Sequence, residues 1–267
     1  MPLPENFPEA RDRILDDSRA VDGHLTDREI RFLTLLGVAA CAEGEILEIG
    51  SFKGRSTTVL ARAAALAGRP GIVAVDPLTG PSRSDRNIYH TDSVRDEFWA
   101  NLESSGVSSD VEFHEKLSAE LAPEWNRKIR LLWIDGDHSY RGAKLDFELF
   151  SGHLSDGAFV AFHDVLTAFE GGIRVFMEDV LLSPAFGPAG FCGSIAWAQR
   201  VSDPHVAAAH SKAKLTLYKK LSRMVPFVAF DQQPTGIDKL LYKLFRSRVP
   251  HEEVSPEDWI AGISLFP

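Results

Sequence analysis

Two short stretches hold the residues best suited to chemistry. One is Asp135-Gly136-Asp137-His138-Ser139-Tyr140, directly after the apolar run Ile129–Ile134; the other is His163-Asp164, directly after residues 157–162. Both apolar runs read as buried strands. Open α/β sheets bind ligands at the carboxyl ends of their strands. If the two strands are neighbours, Asp135 and Asp164 come within a few ångströms, because strands lie ~4.8 Å apart. Two carboxylates that close repel unless one is protonated or a cation lies between them. Oxygen ligands suit Mg²⁺, Ca²⁺ or Mn²⁺, and an imidazole from His163 favours Mn²⁺ or a softer ion. The other reading is a hydrogen-bonded cluster that caps neighbouring helices.

Such residues need elements to hold them, and the stretch from Glu45 to Thr57 supplies the first. Ile46, Leu47 and Ile49 read as a short buried strand, Gly50 and Gly54 break it, and an Ala-rich helix runs over residues 55–67. A strand, a glycine turn and a helix N-terminus make a nucleotide site. Gly50, Ser51, Gly54 and Ser56 are the positions that face such a ligand. A dinucleotide fingerprint would need G-x-G-x-x-G; this loop has two glycines only, with an acid, Glu48, two residues before the first. That suits a ligand with a cationic group and no phosphate, such as S-adenosylmethionine (SAM), which has an ammonium and a sulfonium. A second strand, Ile72–Val75, ends in Asp76, 26 residues after Gly50. An acid there commonly accepts hydrogen bonds from ribose hydroxyls; before a proline it is also an ordinary turn former.

The rest of the chain frames this core. Residues 1–44 read as a helical preface with a capping box at Thr26-Asp27-Arg28-Glu29. It covers the cofactor site, makes a dimer contact or simply packs. Residues 77–91 read as a loop rich in breakers, in which Arg83, Arg86, Tyr89 and His90 touch a substrate or the whole stretch is simply mobile and solvated, and residues 92–105 as a helix with Phe98, Trp99 and Leu102 on its apolar face. Val111–His114 is the third strand, followed by Ser118, which contacts a ligand or caps the next helix. Residues 172–182 read as a helix and residues 194–198 as a late strand; the pattern leaves the sheet order beyond the fifth strand open. Residues 205–248 carry nine Lys/Arg against Asp231 and Asp238 in a chain of net charge −9. A basic amphipathic stretch lies on a membrane, binds an anionic partner, or packs on its own domain or a second subunit.

Composition sets the class. With 44% hydrophobic and 25% charged residues the chain is globular, and its acidity disfavours broad nucleic-acid binding. No apolar run approaches the ~20 residues of a membrane span. The start, Met-Pro-Leu-Pro-Glu, lacks the features of a signal peptide, and Cys41 and Cys192 form no framework, which fits a reducing cytoplasm.

The stretch Glu48-Ile49-Gly50-x-x-x-Gly54 resembles the first motif of class I methyltransferases, with Phe52 where a glycine is common. Together with residues 134–140 and Phe162-His163-Asp164 it resembles a bacterial group that includes macrolide and sugar O-methyltransferases and cephalosporin-hydroxylase-like proteins. The likeness covers about residues 45–200. It implies an α/β, Rossmann-like fold with a mainly parallel sheet flanked by helices. Residues 45–200 would be the SAM-binding domain, and residues 1–44 and 201–267 helical additions, the latter a lid or dimer contact. It implies an O-methyltransferase of a sugar or sugar-containing small molecule, oligosaccharide or glycolipid, acting as a homodimer. Ser118 would lie beside the adenine and Asp135 at the cofactor. Asp135, His163 and Asp164 would hold Mg²⁺ or Mn²⁺, with His163 where an acid is usual. His138, three residues after the first acid, would be the general base. A sugar hydroxyl is a poor nucleophile at neutral pH, so a metal that lowers its pKa and a histidine that takes its proton suit the task. A nicotinamide-dependent sugar oxidoreductase and a non-catalytic nucleotide-binding module compete. The missing fingerprint counts against the first, and the acids and histidines at two strand tips against the second.

Overall fold

The computed structural model describes residues 3–79 and 94–263. Its helices in chain order are α1 (Phe7–Ser18), α2 (Asp27–Ala39), α3 (Arg55–Leu66), α4 (Val94–Ser104), α5 (Ser118–Leu121), α6 (Tyr140–Phe150), α7 (Gly171–Val175), α8 (Pro204–Leu221), α9 (Gly236–Arg246) and α10 (Pro256–Gly262). The strands are β1 (Glu45–Ile49), β2 (Ile72–Val75), β3 (Val111–His114), β4 (Ile129–Ile134), β5 (Leu154–Phe162), β6 (Phe186–Cys192) and β7 (Ile195–Arg200). They form a seven-stranded sheet in the order β3-β2-β1-β4-β5-β7-β6. β1 to β5 pair in parallel, and β7 runs antiparallel to both β5 and β6.

β1, β2 and β4 are short apolar runs because both their faces are covered, as parallel strands require. Side chains alternate across the sheet. Ile46, Leu131, Trp133, Phe159 and Trp197 face the layer made by α1 to α4 and α10. Leu47, Ile49, Leu132, Ile134, Val160 and Phe162 face α5 to α9. The order reverses between β1 and β4, which opens a crevice at their carboxyl ends.

The first five expected strands are all present. The fifth starts at Leu154, before the expected Gly157, whose φ is +81°. The expected helix at 172–182 is α7 running straight into a π-helical turn, Phe176–Leu181. β6 was not expected, because Gly187, Pro188 and Gly190 argue against a strand. Such a sequence is tolerated at the sheet edge, where β6 lies, since an edge strand can do without one ladder donor.

The capping box forms as read: Thr26 Oγ1 accepts from Glu29 N–H, and Glu29 Oε2 accepts from Thr26 N–H at 2.9 Å. Glu29 Oε1 also accepts from the amide and hydroxyl of Ser194, at 2.6 and 2.7 Å, which ties α2 to the β6–β7 turn. The basic tail packs largely on its own domain. α8 buries Leu217 and Leu221, and Lys214 donates to the carbonyls of Ser183 and Phe186 at 2.6 and 2.5 Å. The chain then passes to the other side of the sheet, where the α10 residue Trp259 packs 5.7 Å from Phe32, 5.5 Å from Phe159 and 5.0 Å from Trp197. Among the described residues no helix is long and apolar enough to cross a membrane. Arg83, Arg86, Tyr89 and His90 lie outside the described residues.

Candidate active site

Backbone bonds fix the strand tips side by side. Gly50 N–H donates to Val75 O at 3.0 Å, Asp135 N–H to Ile49 O at 2.8 Å, and His163 N–H to Ile134 O at 3.0 Å. Gly50 is needed for this approach: its φ is +88°, and a Cβ there would lie 2.3 Å from the Asp135 carbonyl oxygen. Gly54, also at φ +88°, caps α3. Phe52, at φ 47°, holds a left-handed conformation without being glycine, and its ring lies 5.8 Å from that of His24.

The tips open into a cavity of about 680 Å³. The glycine loop and Asp76 form one side, Ser118 and Asp146 another, and Asp135, His138, His163 and Asp164 a third. Residues 22–25, from the preface, complete the wall. They are held by Arg55 on α3, whose guanidinium donates to the carbonyls of Val21, Gly23 and Leu25 at 2.6, 2.9 and 3.1 Å. Among the described residues the tail contributes nothing to this wall.

Two expected cofactor residues stand differently from the sequence reading. Glu48 is fully buried beneath the loop and does not line the cavity. Its Oε2 accepts from Ser51 Oγ at 3.0 Å and Thr57 Oγ1 at 2.6 Å. Burial pushes its carboxyl up to about 7, against the opposing effect of the Ser56, Thr57 and Ser51 hydroxyls. It braces loop and helix from below. Asp76 does line the cavity, but Oδ2 already accepts from the amides of Ser51 and Phe52, at 2.7 and 3.0 Å, and Oδ1 from Leu78 N–H at 2.6 Å. Burial raises its pKa.

Ser118 opens α5 without capping it. Its hydroxyl donates to Asp146 Oδ1 at 2.5 Å across to α6. Asp146 was missed by the sequence reading. It is 5% exposed, and burial pushes its carboxyl up to about 6. The signal was legible: Ala143, Asp146, Phe147 and Phe150 follow the i, i+3, i+4, i+7 spacing of a buried helix face.

Asp135, at the tip of β4, and Asp164, after β5, do meet. His138 Nε2 lies 3.6 Å from Asp135 Oδ1 and 3.7 Å from Asp164 Oδ2, and its ring stacks on Phe169 at 4.4 Å. His163 approaches the same acids from the buried side, with Nδ1 3.1 Å from Asp135 Oδ1 and 3.7 Å from Asp164 Oδ2. Its Nε2 lies 3.9 Å from Glu29 Oε2. Burial alone would lower the pKa of this imidazole, but the Asp135 and Asp164 charges outweigh it and hold the pKa well above the ordinary value. Asp135 is held down to about 2 despite burial, by the His163 charge, the nearby His138 ring and the hydrogen bond with His163. Burial opposes the ionisation of Glu29 as well, yet His163 and Ser194 keep its pKa below the usual carboxylate range.

The expected ligand set is only partly assembled: His163 lies on the buried side of the two acids, with its other ring nitrogen towards Glu29. The ligand atoms that converge within 4.8 Å of one another belong to Asp135, His138 and Asp164. Two carboxylates and an imidazole form a donor set that fits Mn²⁺ or a similar divalent ion.

The strand order, with its glycine loop and acids at the tips of β4 and β5, defines the Rossmann-like methyltransferase fold. Residues 47–165, the segment carrying the loop and both tip clusters, match the family described as a methyltransferase domain. The structure of an O-methyltransferase from Bacillus cereus in complex with SAH aligns with 72% of this chain and 91% of that one, at 22% identity and a TM-score of 0.52. TomG from Streptomyces achromogenes, an O-methyltransferase involved in tomaymycin synthesis, was solved with SAM; it aligns with 73% of this chain and 90% of its own, at 19% identity and a TM-score of 0.53. At these identities the likeness is one of fold.

Proposed function

We propose that the protein transfers a methyl group from SAM to a hydroxyl of a sugar or sugar-containing small molecule, with His138 as general base. The observation that carries this reading is the place of His138: between two carboxylates at the strand tips, in the same cavity that the glycine loop lines. Asp76, the Gly50–Phe52 backbone and the Ser118–Asp146 pair are the groups that would hold the cofactor. Asp135 would face its cationic end. Methyl transfer from a sulfonium is an in-line displacement, and much of its rate comes from positioning. His138 would take the hydroxyl proton as the methyl moves, and Asp135 and Asp164 would stabilise the imidazolium. The acceptor class rests on the resemblance of residues 134–140 and 162–164 to macrolide and sugar O-methyltransferases. Residues 45–200 form the cofactor-binding unit in this reading, with residues 22–25 of the preface completing its wall.

A second reading is favoured by the convergence of Asp135, His138 and Asp164 within 4.8 Å. A divalent cation held by these three would supply positive charge beside the acceptor oxygen, and His138 could then not serve as base.

A thermal-shift comparison tests the proposal. S-adenosylhomocysteine (SAH) should raise Tm and NAD should not, and Asp76→Ala should weaken the SAH response. A shift with NAD alone would favour the oxidoreductase, and no shift with millimolar SAH would remove the methyltransferase reading. Turnover that persists in EDTA selects the base reading; turnover lost in EDTA and restored by Mn²⁺ or Mg²⁺ selects the cation.

A further inference from the structure

Helix α9 presents three distinct stripes. Tyr242, 5% exposed, and the half-buried Phe245, whose ring is 5.9 Å from that of Phe227, face the protein. Ile237, Leu240, Leu241 and Leu244 face away, exposed by 75, 66, 37 and 47%. At ~100° per residue these four fall within one stripe about 100° wide. Lys239, Lys243 and Arg246 fall on a stripe between the inward and outward apolar ones. Phe230, just before the helix, is 86% exposed.

A contiguous apolar surface of this kind marks a contact, and its charge says with what. The chain as a whole is at −9, yet residues 205–248 hold nine Lys/Arg and two acids. A second copy is a poorer occupant than an anionic surface, because it would bring a second cationic stripe to the contact where a surface of opposite charge would neutralise the first. We propose that α9 lies on an anionic membrane surface. The outward leucines and Ile237 enter the boundary between headgroups and acyl chains, and Lys239, Lys243 and Arg246 reach along it to lipid phosphates. An 11-residue helix is about 16 Å long, which fits lying on a bilayer and not crossing it. This inference does not depend on the methyl-transfer reading.

Flotation of the full chain with phosphatidylcholine vesicles, with and without phosphatidylglycerol, tests it. The protein should float only with the anionic vesicles and be released by salt. Lys239→Gln with Lys243→Gln should weaken partitioning about 25-fold, at about fivefold for each cation near an anionic surface. Leu240→Gln with Leu244→Gln should abolish flotation while Tm stays unchanged, since both side chains are exposed. Failure of the wild type to float, or equal flotation without phosphatidylglycerol, overturns the proposal. So does undiminished flotation of the leucine variant, or a wild-type dimer by light scattering that this variant converts to monomer without any vesicle binding.

Discussion

Glu48→Gln isolates the cost of a charge beneath the glycine loop. The Glu48 carboxyl is fully buried, and burial raises its pKa from 4.5 to about 7. A carboxylic acid whose pKa is raised in the native state binds its proton more tightly there than in the unfolded chain. Stability therefore falls as pH rises through the window between the two values. The penalty is absent below pH 4.5 and complete above about pH 7. At ~1.4 kcal/mol per pH unit it amounts to about 3 kcal/mol, an upper bound. Glutamine keeps the shape and an oxygen that accepts from Ser51 and Thr57, but it never ionises. Any cost of altered hydrogen bonding in the variant is the same at every pH, so the difference between the two proteins removes it. Urea unfolding of both from pH 4.5 to pH 8 should show the variant gaining on the wild type, with the gain rising by up to about 3 kcal/mol and levelling off above neutrality. Parallel stability curves would show that Glu48 ionises freely where it sits and would refute the reasoning.

Two histidines one site apart should fail differently. His138→Ala should lower kcat by roughly 10²–10⁴-fold with SAH affinity nearly unchanged, whereas His163→Ala should lower unfolding free energy by about 3 kcal/mol or more, because Glu29 and Asp135 lose their buried counter-charge. Near-normal kcat in the first, or unchanged stability in the second, would reverse the roles drawn from the geometry. Gly50→Ala places a Cβ 2.3 Å from the Asp135 carbonyl oxygen at φ +88°, so it should cost at least ~2 kcal/mol by the same unfolding assay and weaken SAH binding as β1 and β4 move apart.

What could be read in advance followed from local pattern. The first five strands are runs of apolar residues closed by glycine or acid, and their tips carried the candidate residues on the page. Asp135 and Asp164 could be paired by assuming neighbouring strands, which the β4–β5 register confirms. The less legible parts depended on contacts distant in sequence. Nothing near His163 announces that Glu29, more than a hundred residues earlier, faces its other ring nitrogen and adds to the pull of Asp135 and Asp164. The burial of Glu48 beneath the loop was hidden for a related reason: strand alternation decides its direction, and the motif alone does not. β6 hid behind glycine and proline that only an edge position excuses.

Trp259 acts as a keystone between parts of the chain far apart in sequence. It fills the space between Phe32 on α2, Phe159 on β5 and Trp197 on β7, on the face opposite α8. Detaching α10 would therefore uncover α2 along the same side, and α2 is the helix that Glu29 ties to the β6–β7 turn. Loosening at a helix that never touches the cavity can thus reach the strand tips through packed rings alone.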